Sequence, residues 1–238
     1  MYGYGYGYYG FDWTYILLII GMLLSLAASA RLKSTFSYYR RIRSASGLTG
    51  AETAKRILQA AGITDVHVRA ISGSLTDHYD PRTKTVSLSE DIYGQTSLAA
   101  VGVAAHECGH AIQHAHGYAP MNIRAALVPV VNIGSNLSIP LIFLGVLLSW
   151  NQTLIQLGIW AFALTVIFQL VTLPVEFNAS HRAIVKVEEY GLLGSEEVSG
   201  GKKVLTAAAL TYVAGAASSA LQLLRLILLY GGNRRRRD

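Results

Sequence analysis

Charge and cysteine are both scarce in this sequence. Asp, Glu, Lys and Arg make up 14% of its 238 residues and hydrophobic residues 52%, a balance that is unusual for a soluble domain. The single cysteine, Cys108, excludes an intrachain disulfide. The 20 Lys and Arg residues are concentrated at the ends of apolar segments, as in membrane proteins. We therefore expect contact with membrane lipid and no nucleic-acid partner.

Apolar runs long enough to cross a bilayer recur along the chain. The first covers residues 13–30 and follows a Tyr- and Gly-rich tail, residues 1–12. A cleaved signal peptide carries its positive charge before the apolar run, but here Arg31 and Lys33 come after it. We predict an uncleaved anchor, with its N-terminus outside the cell and the following residues in the cytoplasm.

The later apolar segments predict a protein that crosses the membrane several times. After the first anchor and a polar region come two further spans, residues 125–150 and 154–173, and then a helix and loop, residues 174–203. A fourth apolar helix, residues 204–230, and a basic tail, residues 231–238, follow. The fourth helix either spans the bilayer or folds back. The second is favoured, with residues 206–220 packed against the catalytic helices and 221–230 along the membrane interface, because a full crossing would place Arg234 to Arg237 outside.

Residues 44–121 are polar enough to form a small water-exposed domain. Thr49 and Glu52 are spaced as a capping box for a helix that ends near Gly62. Residues 66–71 and 85–89 have the composition of strands, and we expect either a plain hairpin or an edge that holds an extended substrate.

His106, Glu107 and His110 form the motif H-E-x-x-H in a stretch that can be helical. Positions four apart lie on one helical face, so the two imidazoles can share one Zn²⁺. Glu107 lies about 100° around the helix from His106. Its carboxylate is therefore beside the metal, where it can take a proton from a zinc-bound water. Cys108 points away from this face and is predicted to be a small packed thiol.

A catalytic zinc site needs a third protein ligand, and the sequence offers three candidates. Glu176 lies where the third span returns to the cytoplasm, and a carboxylate at that depth is costly without a partner. His116 has the spacing of a third motif histidine, but Gln113 stands where that longer motif requires Gly. His114 lies on the same helical face, but it is about 12 Å along the helix from His106, which is too far for the two to share one metal ion. No Asp lies within residues 125–173, which excludes a ligand of that type from those two spans.

Several longer strings carry a resemblance to a known family. The chain contains HECGHA, then two hydrophobic spans and LPVEFNAS, with LTDHYDPRTKTVSLS before them and ALTYVA after them. It resembles the bacterial YugP-type membrane zinc metallopeptidases over most of residues 44–230. These are similar in turn to the CAAX prenyl endopeptidases and HtpX-type membrane proteases.

The resemblance implies that His106, His110 and Glu176 bind zinc and that Glu107 is the general base. The prenyl endopeptidases have an Asp four residues after the ligand Glu, whereas this chain has Ser180. A hydroxyl adds no charge to the ligand histidine, so Ser180 and Asn178 are predicted to support the site more weakly.

A donor besides the metal must stabilise the oxyanion of peptide hydrolysis. The available side chains are Tyr212 and His181, with Arg182 as a third.

These features predict a mainly α, multi-span helical membrane protein with a small α+β zincin-like (gluzincin) catalytic domain. The expected function is that of a membrane-anchored zinc endopeptidase in the cell membrane, with its site on the cytoplasmic face. Its substrates would be peptides or membrane proteins. The alternative is a non-catalytic zinc-binding scaffold in protein quality control, for which His114 or His116 could supply a fourth ligand. A transporter is disfavoured because the spans carry few paired charges.

Overall fold

The computed structural model describes residues 12–231, which form one three-stranded sheet and seven helices. In chain order the elements are α1 (Tyr15–Tyr39), α2 (Gly50–Ala60), β1 (His67–Ile71), β2 (His78–Asp80), β3 (Thr85–Ser89), α3 (Glu90–Tyr93), α4 (Leu98–Ala115), α5 (Ala119–Leu147), α6 (Gln152–Glu189) and α7 (Ser195–Tyr230). Nearly all of the Tyr- and Gly-rich tail and of the basic tail lies outside the described residues.

Four of these helices, α1, α5, α6 and α7, are long and apolar enough to cross a membrane. The third predicted span and the segment that carries Glu176 are one helix, α6, which continues through Pro174. The fourth apolar segment is also one helix, since α7 runs unbroken to Tyr230. The expectation that α7 breaks near residue 221 and folds back is therefore wrong.

The long helices pack side by side in the order α5, α6, α7, α1. Small residues allow α1 and α7 to approach closely: Ser218 Oγ donates to the Gly21 carbonyl at 2.7 Å and lies 2.9 Å from Ser25 Oγ. Such small-residue contacts are typical of helices that associate in a bilayer. Because Gly21 meets Ser218 while Tyr39 meets Gly200, the two helices are antiparallel.

Aromatic residues mark one end of this helical layer. The ring centroids of Trp150 and Tyr230 are 6.1 Å apart, and the Arg225 guanidinium lies 4.5 Å from the centre of the Tyr15 ring. The start of α1, the α5–α6 turn and the end of α7 therefore share one end of the molecule. The polar domain lies at the other end, where α4 packs against α6 and α7.

Local signals in the polar domain form as predicted. Thr49 Oγ1 accepts from the Glu52 amide at 3.2 Å, and Glu52 Oε2 accepts from the Thr49 amide at 2.8 Å, which completes the capping box of α2. Gly62 follows the helix with a φ of +70°, a value that favours glycine. Ser97 caps α4 by accepting from the Ala100 amide at 3.2 Å.

The sheet has the order β1-β3-β2, with β1 parallel and β2 antiparallel to β3. The predicted plain hairpin of the first and last strands is wrong, because β2 lies between them in sequence and forms the hairpin with β3. Strand β3 is buried along its whole length, and it pairs with β1 throughout and with β2 at residues 85–87. Residues 85–87 therefore have no free edge on which to hold a substrate.

Candidate metal centre

Helices α4 and α6 bring three possible metal ligands together. His106 and His110 lie one turn apart on α4, with ring centroids 4.8 Å apart. Glu176 Oε2, from α6, is 3.3 Å from His106 Nε2 and 3.6 Å from His110 Nε2. The three ligand atoms lie within 4.8 Å of one another, and no other group of three or more His, Cys, Asp or Glu residues between 12 and 231 has such an arrangement.

Gly109 allows the two helices to approach this closely. A Cβ at this position would lie 2.5 Å from the Ala179 carbonyl oxygen, well inside the contact distance that atoms accept. The backbone of α6 thus fills the space that the glycine leaves. Glu176 and Ser180, on either side of Ala179, are consequently held against the histidines of α4.

Each histidine is oriented by a hydrogen bond to its second nitrogen. His106 Nδ1 is 3.1 Å from Ser180 Oγ, one helical turn after Glu176 on α6. His110 Nδ1 is 3.0 Å from Gln113 Oε1, and Gln113 is completely buried. Both rings therefore have Nε2 turned toward Glu176. Such partners fix the tautomer and ring orientation of ligand histidines.

A chain of donors fixes the orientation of the Gln113 amide. Arg182 Nε donates to Asn178 Oδ1 at 2.7 Å, so this atom is the acceptor oxygen. Gln113 Nε2 donates to the same oxygen at 2.9 Å and to the Val175 carbonyl at 2.8 Å. The remaining atom, Gln113 Oε1, must be an acceptor, so His110 donates from Nδ1 and keeps its Nε2 lone pair for a metal.

The donor set fits zinc. Two imidazole nitrogens and one carboxylate oxygen are the ligands of a known class of catalytic zinc site, which leaves a fourth position open. The side chains of His106, His110 and Glu176 are 13%, 9% and 3% exposed, so a buried carboxylate here needs compensating positive charge. Arg124 Nη1, on α5, is 3.8 Å from the other oxygen, Glu176 Oε1, and supplies part of that charge.

Glu107 lies beside this cluster and is buried. Burial raises the pKa of its carboxyl, while the neighbouring His106 and His110 lower it. Cys108, the next residue, is completely buried and its thiol donates to the Ala54 carbonyl at 3.5 Å. Burial also raises the pKa of this thiol, which confirms a packed residue that points away from the ligands.

The two candidates for oxyanion stabilisation are placed differently. Tyr212, on α7, interacts electrostatically with Glu176, Glu107 and Arg124 and thus faces the cluster. His181 is exposed and lies about 140° around α6 from Glu176. The Arg182 guanidinium is 5.9 Å from the centre of the Tyr118 ring, in addition to its bond with Asn178.

The alternative histidine ligands are directed elsewhere. His114 Nδ1 is 2.8 Å from the Tyr79 hydroxyl, and His116 Nδ1 is 2.9 Å from the Ile112 carbonyl. Neither belongs to the group of ligand atoms around Glu176.

Sequence reasoning did not identify Gln113 or Arg124 as members of the site. Gln113 did carry a signal, since it is a polar residue one helical turn after His110. Arg124 is 52 positions from Glu176 in sequence, and only the packing of α5 on α6 brings them together.

Comparisons with known proteins agree with this geometry. Residues 14–231 match the model of the family described as "Putative neutral zinc metallopeptidase". Over 194 residues the chain is 47% identical to "Putative membrane protease YugP" of Bacillus subtilis (strain 168), a match that covers 81% of this chain and 86% of that protein. No solved structure matches the chain. The resemblance of the sequence is thereby confirmed, with zinc as the cofactor, and the chain belongs to the family described as "Putative neutral zinc metallopeptidase".

Proposed function

We propose that this protein is a membrane-anchored zinc endopeptidase with a zincin-like (gluzincin) catalytic domain. Its ligands are His106, His110 and Glu176, and its general base is Glu107. The observation that carries the proposal is the convergence of the two motif histidines and Glu176, with ligand atoms within 4.8 Å, beside the buried Glu107 carboxylate. A metal ion bound there has an open position and a base next to it, which a hydrolase needs.

The metal ligands and Glu107 have separate roles in the proposed peptide hydrolysis. His106, His110 and Glu176 would hold the zinc ion, which would supply Lewis acidity toward the scissile carbonyl and the attacking water. Glu107 takes the proton of the attacking water and passes it to the leaving amine, so that the C–N bond breaks without a free amide anion. Burial raises the pKa of the Glu107 carboxyl, which makes the carboxylate a stronger base than an exposed one.

Tyr212 is the first candidate to stabilise the oxyanion, with His181 second. The Tyr212 hydroxyl can donate a hydrogen bond to an oxygen that develops negative charge. Its electrostatic interactions with both Glu176 and Glu107 support a position at the reacting atoms. His181 would need to reach the site from an exposed position on another face of α6.

A non-catalytic scaffold is the weaker alternative. A closed structural zinc site takes four protein ligands, whereas the cluster offers three between residues 12 and 231. The histidines that could have supplied the fourth are bonded to Tyr79 and Ile112. A scaffold also has no use for a buried carboxylate beside the metal.

We further propose that the four long helices cross the cell membrane and that the metal centre lies at its cytoplasmic boundary. Glu176 is about 36 Å along α6 from Gln152, just beyond a hydrocarbon core about 30 Å thick. The positive-inside tendency assigns the side, because most cations are at the site end: Arg31, Lys33, Arg40, Arg41, Arg43, Arg124, Arg182, Lys186, Lys202 and Lys203. Peptides and membrane proteins presented at that boundary are the proposed substrates.

The test uses the purified full chain with a casein or peptide substrate. Glu107→Gln should retain zinc and lose at least about 100-fold in the rate of cleavage, because the general base is gone while the ligands remain. Glu188→Gln, at an exposed position on α6, is the matched control and should cleave as the wild type does. Full cleavage by Glu107→Gln would contradict the proposal.

A further inference from the structure

A cavity of about 500 Å³ lies between α1 and α7, away from the metal centre. Its volume is within the range of small-molecule sites, about 300–1,000 Å³. Several of the lining residues carry charged or hydroxyl groups. They include three cations, Arg31, Lys202 and Lys203, and the hydroxyl residues Ser34, Thr35 and Ser199.

The three cations carry uncompensated charge. Between residues 12 and 231, neither Arg31 nor Lys202 nor Lys203 forms an ion pair with a carboxylate. All three side chains are exposed and can reach a ligand in the cavity. With the hydroxyl donors beside them, they form a concave surface that favours an anion able to accept several hydrogen bonds.

The cavity lies at the level of lipid headgroups. Exposed aromatic residues, Trp13, Tyr15 and Trp150, mark the opposite end of the helical layer, as at a membrane interface. Thr35 is about 30 Å along α1 from Tyr15, which is the thickness of a hydrocarbon core. The cavity therefore opens at the depth of the lipid headgroups on the side of the membrane opposite Trp13 and Tyr15.

We propose that this cavity binds a phosphate group, supplied by an anionic phospholipid of the leaflet next to the metal centre. Basic pockets between membrane helices on the cytoplasmic side recognise such headgroups through their phosphate oxygens. Arg31 offers paired N–H donors, Lys202 and Lys203 add positive charge, and the hydroxyls complete the hydrogen bonds. The acyl chains would follow the exposed apolar surface of α1, where Leu23 and Leu26 are 55% and 58% exposed.

This lipid site is separate from the metal centre. Lys203 is nine residues from Tyr212, about 13 Å along α7 and about 180° around it, and Lys202 is about 15 Å along and about 80° around. The cavity and the metal cluster therefore use different turns of α7. The inference rests on the proposed membrane placement and not on peptidase activity.

Two pairs of substitutions with equal loss of charge test the proposal. Arg31→Gln with Lys202→Gln removes two cations from the cavity, whereas Lys33→Gln with Arg41→Gln removes two exposed cations that do not line it. Binding of fluorescent phosphatidylglycerol to the full chain in detergent is measured against phosphatidylcholine and inorganic phosphate. Circular dichroism and size-exclusion chromatography establish that each variant is folded.

We expect the wild type to bind phosphatidylglycerol in preference to phosphatidylcholine. The affinity for phosphatidylglycerol should fall about 30-fold in the double variant of the cavity, a factor of about five for each cation. It should fall about twofold or less in the control double variant. Equal losses in both pairs would overturn the proposal, since general surface charge would then explain the binding. So would equal affinity for phosphatidylcholine. Competition by inorganic phosphate at equal concentration would overturn the assignment to a lipid and leave a site for soluble phosphate.

Discussion

At the scale of single residues, the site depends on side chains that never touch the metal. Gln113 accepts from His110 Nδ1 and donates to Asn178 and to the Val175 carbonyl, so one buried amide joins α4 to α6. Ser180 Oγ hydrogen-bonds with His106 Nδ1 and so orients that ring in the same way. The ligands of the proposed zinc site are thus held by a hydrogen-bonded network that has fixed donor and acceptor roles.

Gln113→Leu tests this network. The substitution nearly keeps the side-chain volume but leaves His110 Nδ1 without its acceptor and removes the bond from residue 113 to the Val175 carbonyl, so the ring loses its fixed tautomer. We expect zinc affinity to fall about 10- to 100-fold, measured by titration against a chelator. Gln59→Leu, at an exposed position of α2, is the control and should bind zinc as the wild type does. Unchanged affinity in Gln113→Leu would show that His110 needs no such partner.

The residue-scale signals in the sequence were of unequal strength. The spacing of His106, Glu107 and His110 follows from the geometry of one helix, so it predicts their shared face without any knowledge of the fold. Glu176 could be proposed because a carboxylate at a membrane boundary is costly. Arg124 could not be identified, because nothing local distinguishes it from the other cations that flank apolar segments.

At the scale of elements, the metal centre depends on how closely α4 and α6 pack. Gly109 meets the Ala179 carbonyl, and Gly102, two turns earlier on the same face of α4, lies near Gly201, so glycines allow α4 to approach both α6 and α7. The close approach at Gly109 determines how far Glu176 lies from the two histidines.

Gly109→Ala should therefore damage the site through the backbone. The new methyl group would lie 2.5 Å from the Ala179 oxygen, so the helices must separate. We expect a loss of about 1–3 kcal/mol in the free energy of unfolding, together with weaker zinc binding. Denaturant unfolding and the zinc titration measure the two effects. Gly94→Ala is the control, because a Cβ there meets no atom within 4 Å and φ is negative. Wild-type stability and zinc affinity in Gly109→Ala would contradict the packing argument.

Elements with strong local signals were predictable, and their arrangement was not. The capping box of Thr49 and Glu52 defines the start of α2 from neighbouring residues alone. The parallel pairing of β1 with β3 depends on contacts between distant parts of the chain, and the short strand β2 has no clear pattern of its own. Proline removes one helical hydrogen bond, yet α6 continues through Pro174, where it packs against α4 and α7.

At the scale of the whole molecule, the proposed topology has four spans in the membrane and the metal centre at the cytoplasmic boundary. The antiparallel pairing of α1 and α7 puts Tyr230 at the same end as Tyr15. The proposed orientation therefore places Arg234 to Arg237, which follow Tyr230 in sequence, outside the cell, and the larger number of cations at the site end outweighs them.

Cysteine labelling in intact cells tests this orientation. Because Cys108 is the only cysteine, Cys108→Ala gives a background into which single cysteines can be placed. A membrane-impermeant maleimide should label Thr153→Cys from outside, since Thr153 is exposed at the α5–α6 turn. Ser74→Cys, exposed in the polar domain, should be labelled only after the cells are permeabilised. The reverse pattern would invert the topology.

The most direct test of the central claim is the zinc content of the purified protein and of two variants, measured by mass spectrometry of the metal. The account predicts about one zinc ion per chain in the wild type and in His116→Ala, and loss of most of the zinc in Glu176→Ala, since a three-ligand site cannot spare its carboxylate. Full zinc in Glu176→Ala together with loss in His116→Ala would contradict the account and move the third ligand to His116.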